Sequence, residues 1–185
     1  TYNTQNDLLL SRLLRYYEDK DKITEMLSII NGGSNISLRI VDWFVTNYAK
    51  KNFTHYEFTD SKTGLLTRFK VYNDYKLKLK SYSKKRFDPF CRWDRISIPY
   101  TDNDHIQTTI GQLNFFKWAL ENKVLDYIEE YFEDINQDML NRNSSSKKRH
   151  SNKSKNKTRK KREELSISAT KTIKKEKVEI VLHFK

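Results

Sequence analysis

Cysteine, proline and glycine are scarce in this 185-residue sequence, which has one, two and four of them. The single cysteine, Cys91, excludes an internal disulfide framework and a cysteine-based structural zinc site, and it is typical of a reducing compartment. So little glycine and proline argues against a loop-dominated fold or a many-turned β-sandwich. No apolar run reaches the ~18–20 residues that a membrane-spanning helix needs, so no membrane partner is predicted.

Acidic side chains are absent from one long segment, and this absence governs the charge of the whole chain. Residues 1–141 hold 20 basic and 20 acidic side chains, yet the formal net charge of the chain is +12. Residues 142–162 supply eleven Lys or Arg side chains and no Asp or Glu. A neutral body joined to one concentrated cationic segment differs from a uniformly basic protein, because its positive charge is concentrated where it can bind a polyanion.

The cationic segment, called the arm below, predicts binding to nucleic acid, and to DNA in preference to RNA. Its predicted phosphate-binding residues are Arg142, Lys147, Lys148, Arg149, Lys153, Lys155, Lys157, Arg159, Lys160, Lys161 and Arg162. Flexible Lys and Arg side chains neutralise phosphates and release counterions, which gives salt-sensitive, sequence-tolerant affinity. The alternative is a solvated linker that only keeps the chain soluble. Its two basic clusters, 147–149 and 157–162, are also typical of a bipartite nuclear-import signal.

Hydrophobic periodicity predicts an α+β fold over residues 1–141. Helical spacing predicts helices over 7–17 and 23–30, the second ending at Asn31-Gly32-Gly33, and a third after a cap at Ser34 or Asn35. Further helical patterns cover 71–85 and, from a capping box at Thr109 to Gln112, a long stretch to Met139, as one helix or as two with a bend near Asn122. The first three helices should form an antiparallel cluster.

A small antiparallel sheet completes the predicted domain. Residues 53–59 and 65–71 read as a hairpin around a turn at 60–64, and 95–100 alternates like a strand before a loop at 102–104. Because apolar content vanishes after Leu140, residues 141–164 are predicted to be disordered. The arm, together with residues 163–175, forms a predicted basic low-complexity segment, 142–175. Residues 176–185 then include a β-prone heptamer, 178–184, that could return as a strand.

A second basic feature lies within the predicted domain. Lys84, Lys85, Arg86, Arg92 and Arg95 flank three aromatic residues, Phe87, Phe90 and Trp93. Interleaved aromatics and cations can stack bases and hold phosphates, so these five residues form a secondary candidate for a nucleic-acid surface. The alternative, which the charges favour, is that the aromatics are core. The basic segment 51–100, net +7, would then face the acidic segment 101–140, net −7.

Catalytic and metal-binding patterns find little support. The four histidines are scattered without ligand-like spacing, and the glycines form no phosphate-binding loop. Asp102, Asp104 and His105 could bind a metal but are more typical of a loop before a helix. Cys91 lies in a cationic setting that could activate a thiol, but no partner base is identifiable. The sequence therefore predicts a non-enzymatic protein with no catalytic residues, metal or cofactor.

Three stretches resemble an uncharacterised protein family of the nucleocytoplasmic large DNA viruses, the giant and algal viruses. They are Ile36–Tyr48, Tyr82–Arg92 and Thr108–Ala119, and the resemblance covers about residues 20–135. It implies a setting in the cytoplasmic viral factory or nucleus of the host, or in the virion, and supplies no functional residues. The arm lies outside the resembling stretches.

Together these observations predict a viral accessory protein that binds nucleic acid through its arm in genome packaging, replication or late transcription. The alternative function is that of a structural or adaptor protein of the virion. In that case the aromatic-rich body would contact other viral proteins, and the arm would only assist assembly.

Overall fold

A computed structural model describes residues 4–60, 63–92, 94–100, 104–151 and 174–177. It shows helices around two small antiparallel sheets, so the predicted α+β class is confirmed.

The first two helices begin and end where the sequence predicts, within a few residues. Helix α1 spans Gln5–Tyr16, and Thr4 forms a full capping box with the third residue of the helix. Helix α2 spans Lys20–Asn31 and ends at Gly32, whose left-handed backbone (φ 76°) suits glycine.

The third helical segment contains an irregularity that its periodicity does not predict. Helix α3 spans Leu38–Trp43 and continues as a π-helical turn over Phe44–Tyr48 and then as the short helix α4, Ala49–Lys51. The wider turn keeps Phe44 and Val45 fully buried, so the segment still presents one apolar face to the core.

The N-terminal cap of α3 is a different residue from the two that the sequence predicts. Ser37 caps the helix, and its Oγ accepts a hydrogen bond from the N–H of Ile40 at 3.3 Å. The predicted candidates were Ser34 and Asn35. Ser34 instead accepts a hydrogen bond from the N–H of Ile36 at 3.1 Å, which shapes the loop before the helix.

The predicted hairpin is present. Strand β1, His55–Thr59, pairs with β2, Leu66–Lys70, in antiparallel register. Helix α5 follows at once over Val71–Tyr82. It ends at Ser83, whose backbone has a positive φ (63°), and so stops short of the predicted end at Lys85.

The second sheet has the strand order β3-β4-β5. Strand β3 spans Arg95–Pro99, β4 spans Asp104–Thr109 and β5 spans Lys174–Lys177, and both pairings are antiparallel. The sequence did not predict β4, whose first residue was assigned to the loop at 102–104. A chain segment does return to the sheet, but earlier than predicted; residues 178–184 lie outside the described residues.

The long C-terminal pattern is divided into three helices. These are α6, Ile110–Glu121, α7, Val124–Glu130, and α8, Phe132–Ser151. The first break falls at Asn122 and Lys123, where a bend was one of the two alternatives. Lys123 has a left-handed backbone (φ 56°), which ends one helix and starts the next at a new angle.

Helix α8 continues into the arm. Residues 142–151, predicted to be disordered, continue the helix to Ser151. Their helical state has an electrostatic reason, because Glu133 and Asp134 lie in the first turn and Lys147, Lys148 and Arg149 lie near the other end, each sign where the helix dipole favours it. Residues 152–173 lie outside the described residues.

The core is centred on α6, against which α1 packs. Leu113, Phe115 and Phe116 are fully buried there. The hydroxyl of the buried Tyr17, just after α1, donates a hydrogen bond to the carbonyl of Leu113 at 2.8 Å. Within the described part of the chain, no helix has the length and apolarity to cross a bilayer.

Candidate nucleic-acid interface

The first cation of the arm contacts the folded body. The guanidinium of Arg142 lies over the ring of Trp43, 5.7 Å from its centroid. Lys51 forms an ion pair with Asp138 at 2.6 Å, one turn before Arg142 on α8. These contacts connect α8 to the segment α3–α4 at the point where the cationic series begins.

The next cations extend from the body on α8. Lys147, Lys148 and Arg149 occupy the end of this helix, and residues 142–151 extend it by about 15 Å at ~1.5 Å per residue. The rest of the arm lies outside the described residues: Lys153, Lys155, Lys157, Arg159, Lys160, Lys161 and Arg162.

The secondary candidate surface follows α5. Lys84, Lys85, Arg92 and Arg95 are exposed, whereas Arg86 is half-buried and donates a long hydrogen bond (3.5 Å) from Nη1 to Oε1 of Gln5. Three buried side chains fix this segment by donating hydrogen bonds to its carbonyls: Cys91 Sγ to Lys85 (3.4 Å), Asn114 Nδ2 to Arg86 (2.8 Å) and Gln112 Nε2 to Pro89 (3.1 Å).

The aromatic residues of this segment do not form a stacking platform. Phe87 is fully buried among the rings of Tyr82, Phe115 and Trp118, so it is a core residue, as the alternative interpretation predicted. Phe90 is half-buried against the core, and Trp93 lies outside the described residues. The five cations therefore keep their charge but lose Phe87 as a partner for bases.

The residues considered for chemistry do not converge. Cys91 is buried, and its carbonyl accepts a 3.5 Å hydrogen bond from Thr109 at the end of β4. His105 lies four residues before Thr109, roughly 13 Å along the strand at ~3.3 Å per residue, so it stands at the other end of β4 from the residue that contacts Cys91. Among the described residues, no group of three His, Cys, Asp or Glu side chains could hold a metal ion.

One carboxyl group has an unusual environment. Burial, and after it the negative charge of Asp88, raise the pKa of Asp42 from 3.8 to about 6, while the charge of Lys84 opposes them. The ionised carboxylate of Asp42 therefore destabilises the folded state near neutral pH. A perturbed carboxyl can mark a site, but an ion pair or buried residue of the fold has the same signature.

Sequence reasoning missed a third basic surface, along α5. Lys50, Arg68, Lys70, Lys76 and Lys80 line two adjoining cavities there together with Phe53 and Tyr72. The net charge of +7 over residues 51–100 signalled an excess of cations, but these residues come from α4, β2 and α5. Only the fold brings them together.

The chain is similar to "Uncharacterized protein L507" of Acanthamoeba polyphaga mimivirus. The two are 44% identical over 135 residues, which cover 70% of this chain and 51% of the relative. The chain thus spans about half the length of that curated relative. No solved structure matches the chain.

A family model described as "Family of unknown function (DUF7197)" matches residues 2–184. The match is wider than the predicted resemblance, which ended near residue 135, and it includes the arm. Together with the mimivirus relative, it confirms the predicted kinship with an uncharacterised giant-virus family. The chain belongs to the Family of unknown function (DUF7197).

Proposed function

We propose that this chain is a non-enzymatic viral protein that binds nucleic acid. It binds DNA in preference to RNA and does not depend on the base sequence. One observation carries the proposal: the series of eleven cations without an acid over residues 142–162, on a body whose charges balance. Because each neutralised phosphate releases counterions, such a series gives strong binding at low salt that weakens steeply as salt rises.

The start of the arm supports this function physically. The first cations of the arm lie on helix α8, which continues to Ser151, and the guanidinium of Arg142 lies over Trp43. A duplex carries one charge per ~1.7 Å of axis, so a helical segment of about 15 Å spans several phosphates. The proposed setting is genome packaging, replication or late transcription, in a viral factory, nucleus or virion, where sequence-tolerant DNA binding is of use.

Fluorescence anisotropy with a labelled DNA duplex tests the proposal. Affinity is measured at several KCl concentrations for the intact chain and for a chain lacking residues 142–162. The intact chain should lose affinity with a slope of about −0.9 in log K against log salt for each phosphate contacted. A matched control carries the same arm residues in scrambled order and should bind equally well. Equal affinity of the intact and the shortened chain would exclude the arm as the binding site.

A second function, that of a structural or adaptor protein, has its own observation. Leu65 and Leu66 are 68% and 70% exposed at the tip of the β1–β2 hairpin, where they add nothing to the core. Exposed apolar side chains at one tip are typical of a protein contact. Pull-down from infected cells separates the two functions: nuclease treatment should release the partners under the first and leave them bound under the second.

A further inference from the structure

A groove, called the α5 groove below, runs along α5. Its first part lies between this helix, α4 and the β1–β2 hairpin, and its second part lies on α5 itself. It consists of two cavities of about 520 and 690 Å³ that share Tyr72 and Asn73. The first cavity is lined by Lys50, Phe53, Arg68, Lys70 and Tyr72, among others, and the second by Lys76 and Lys80.

The charge of the groove has one sign. Five of its lining residues are Lys or Arg, and none of the described lining residues is acidic. Glu57 stands opposite Arg68 in the strand ladder and offsets part of that one charge. A concave surface with four further cations attracts and retains an anionic chain.

Phe53 lies at the groove in a conformation that the fold does not favour for it. Its side chain is 84% exposed and its backbone is left-handed (φ 50°). It occupies the position after the α4 C-cap that glycine usually takes, and the N–H of Thr54 donates back to the carbonyl of Ala49 at 3.1 Å, as in a Schellman motif. A large ring here costs backbone strain and buries little surface, so its contribution to folding does not explain it.

A second ring, Tyr72, lies where the two cavities meet. The ammonium of Lys50 is 5.6 Å from the centroid of this ring, so a cation and an aromatic face are already paired within the groove. Phe53 and Tyr72 both line the same cavity, together with Lys70. Aromatic rings among cations are the components with which proteins hold unpaired bases and their phosphates.

We propose that the α5 groove binds single-stranded DNA, with a base stacked on Phe53 and phosphates on the surrounding cations. The ligand class rests on the proposed function, but the site differs from the arm. A duplex offers its phosphates and hides the faces of its bases, so only a single strand uses both the rings and the charges. The groove would therefore add a preference for unpaired DNA to a protein whose arm has none.

The decisive variant is Phe53→Gly in the full chain. Glycine adopts the left-handed backbone without strain, so the variant should keep or raise the melting temperature. Affinity for an oligo(dT) of about 20 nucleotides should fall about 5- to 150-fold, the range that one lost stacking contact gives, while affinity for a duplex of equal length should change less than about twofold.

Charge is tested separately with Lys76→Ala/Lys80→Ala, two exposed positions of α5. The slope of log K against log salt for oligo(dT) should become shallower by about 0.7 for each lost phosphate contact. The matched control is Arg12→Ala/Arg15→Ala, which removes two exposed charges from α1, away from the groove. The control should keep the slope of the intact chain.

The outcomes separate the groove from the arm. Deletion of 142–162 weakens binding to both DNAs if the arm is the general binder, whatever the groove does. A folded Phe53→Gly chain that binds oligo(dT) as tightly as the intact chain would overturn the groove proposal. The exposed ring of Phe53 would then be assigned to a contact with another protein. An equal loss for the duplex would overturn it too, as would tighter groove-dependent binding of oligo(rU) than of oligo(dT).

Discussion

The indole N–H of Trp43 donates a hydrogen bond to the carboxylate of Asp138 at 3.0 Å, across 95 positions of sequence. The second oxygen of Asp138 accepts from Lys51 at 2.6 Å. Trp43 thereby connects the end of α3 to α8 and presents its ring to Arg142. The attachment of the arm depends on Asp138, because each of its carboxylate oxygens accepts a hydrogen bond from a residue of the body, Trp43 or Lys51.

Replacing Asp138 should loosen α8. Burial raises the pKa of Asp138, but hydrogen bonds from Lys51 and Trp43, together with the charges of Lys51 and Arg142, outweigh it and hold the pKa below its ordinary value. A lowered pKa contributes stability above the ordinary value of 3.8 that is lost as pH falls through the lower, folded-state value. Asp138→Ala should therefore cost about 1–2 kcal/mol at pH 7 and less at pH 3, as measured by urea denaturation.

Glu133→Gln is the matched control on the same helix. Glu133 is exposed in the first turn of α8, so its loss should cost only a few tenths of a kcal/mol through the helix dipole. If Asp138→Ala costs no more than this control, the Trp43–Asp138–Lys51 contacts do not fasten α8.

Asp42 should behave in the opposite sense. Its raised pKa of about 6 means that the folded state binds the proton more tightly than the unfolded state. Stability is therefore lost as pH rises from about 4 to about 6, and the loss is complete at pH 7. Asp42→Asn should stabilise the protein by about 1–3 kcal/mol at pH 7, at ~1.4 kcal/mol per pKa unit, and by little at pH 4. An equal change in the free energy of unfolding at both pH values would show that ionisation of Asp42 does not destabilise the fold.

The sequence predicts those parts of the fold that have strong local signals. Gly32 ends α2 and Thr109 caps α6, because each supplies a conformation or a hydrogen bond that the helix end requires. Strand β4 lacks such a signal: Asp104–Thr109 is mostly polar, and Thr108 is buried only because β3 and α6 cover it. Tertiary pairing decides the structure of such a segment.

The candidate sites divide in the same way. The arm is visible in the sequence because its charges are consecutive. The α5 groove is not visible, since Lys50, Arg68 and Lys76 become neighbours only when α4, β2 and α5 pack together. Phe87 follows Lys84-Lys85-Arg86 directly and could be a stacking residue by sequence alone, but it is core, as the alternative that the charges favoured predicts.

Two glycines provide a matched pair for the packing of the segment 84–92. A Cβ on Gly111 would lie 2.9 Å from the carbonyl oxygen of Lys85 and 2.9 Å from Cβ of Cys91, and neither atom is the end of a flexible side chain. Gly111→Ala should therefore destabilise the protein by about 1–3 kcal/mol despite alanine's better helix propensity. Gly33→Ala, whose nearest contact would be an ordinary 3.6 Å, should cost less than about 0.5 kcal/mol.

Urea denaturation measures both variants. The contrast between them isolates the steric effect, since each adds one methyl group. If Gly111→Ala is as stable as Gly33→Ala, the loop that carries Lys85 and Cys91 yields easily. The basic segment would then not be held rigidly against α6.

The last turns of α8 make a prediction about the arm itself. Ser145→Pro removes a helical hydrogen bond and clashes with the preceding turn, at a cost of about 3 kcal/mol. The helix beyond it would be too short to persist alone, so far-UV circular dichroism should lose the signal of about seven helical residues, 145–151. Asn156→Pro is the control, because it lies beyond the end of α8 where the sequence predicts no structure.

Both proline variants keep every cation, which separates the shape of the arm from its charge. If binding depends on counterion release, both should retain the duplex affinity and the salt slope of the intact chain. A loss of affinity confined to Ser145→Pro would mean that the helical presentation of Lys147, Lys148 and Arg149 positions them on the phosphates. An unchanged dichroism signal in that variant would instead mean that residues 145–151 are not helical in solution, as the composition of the arm alone predicts.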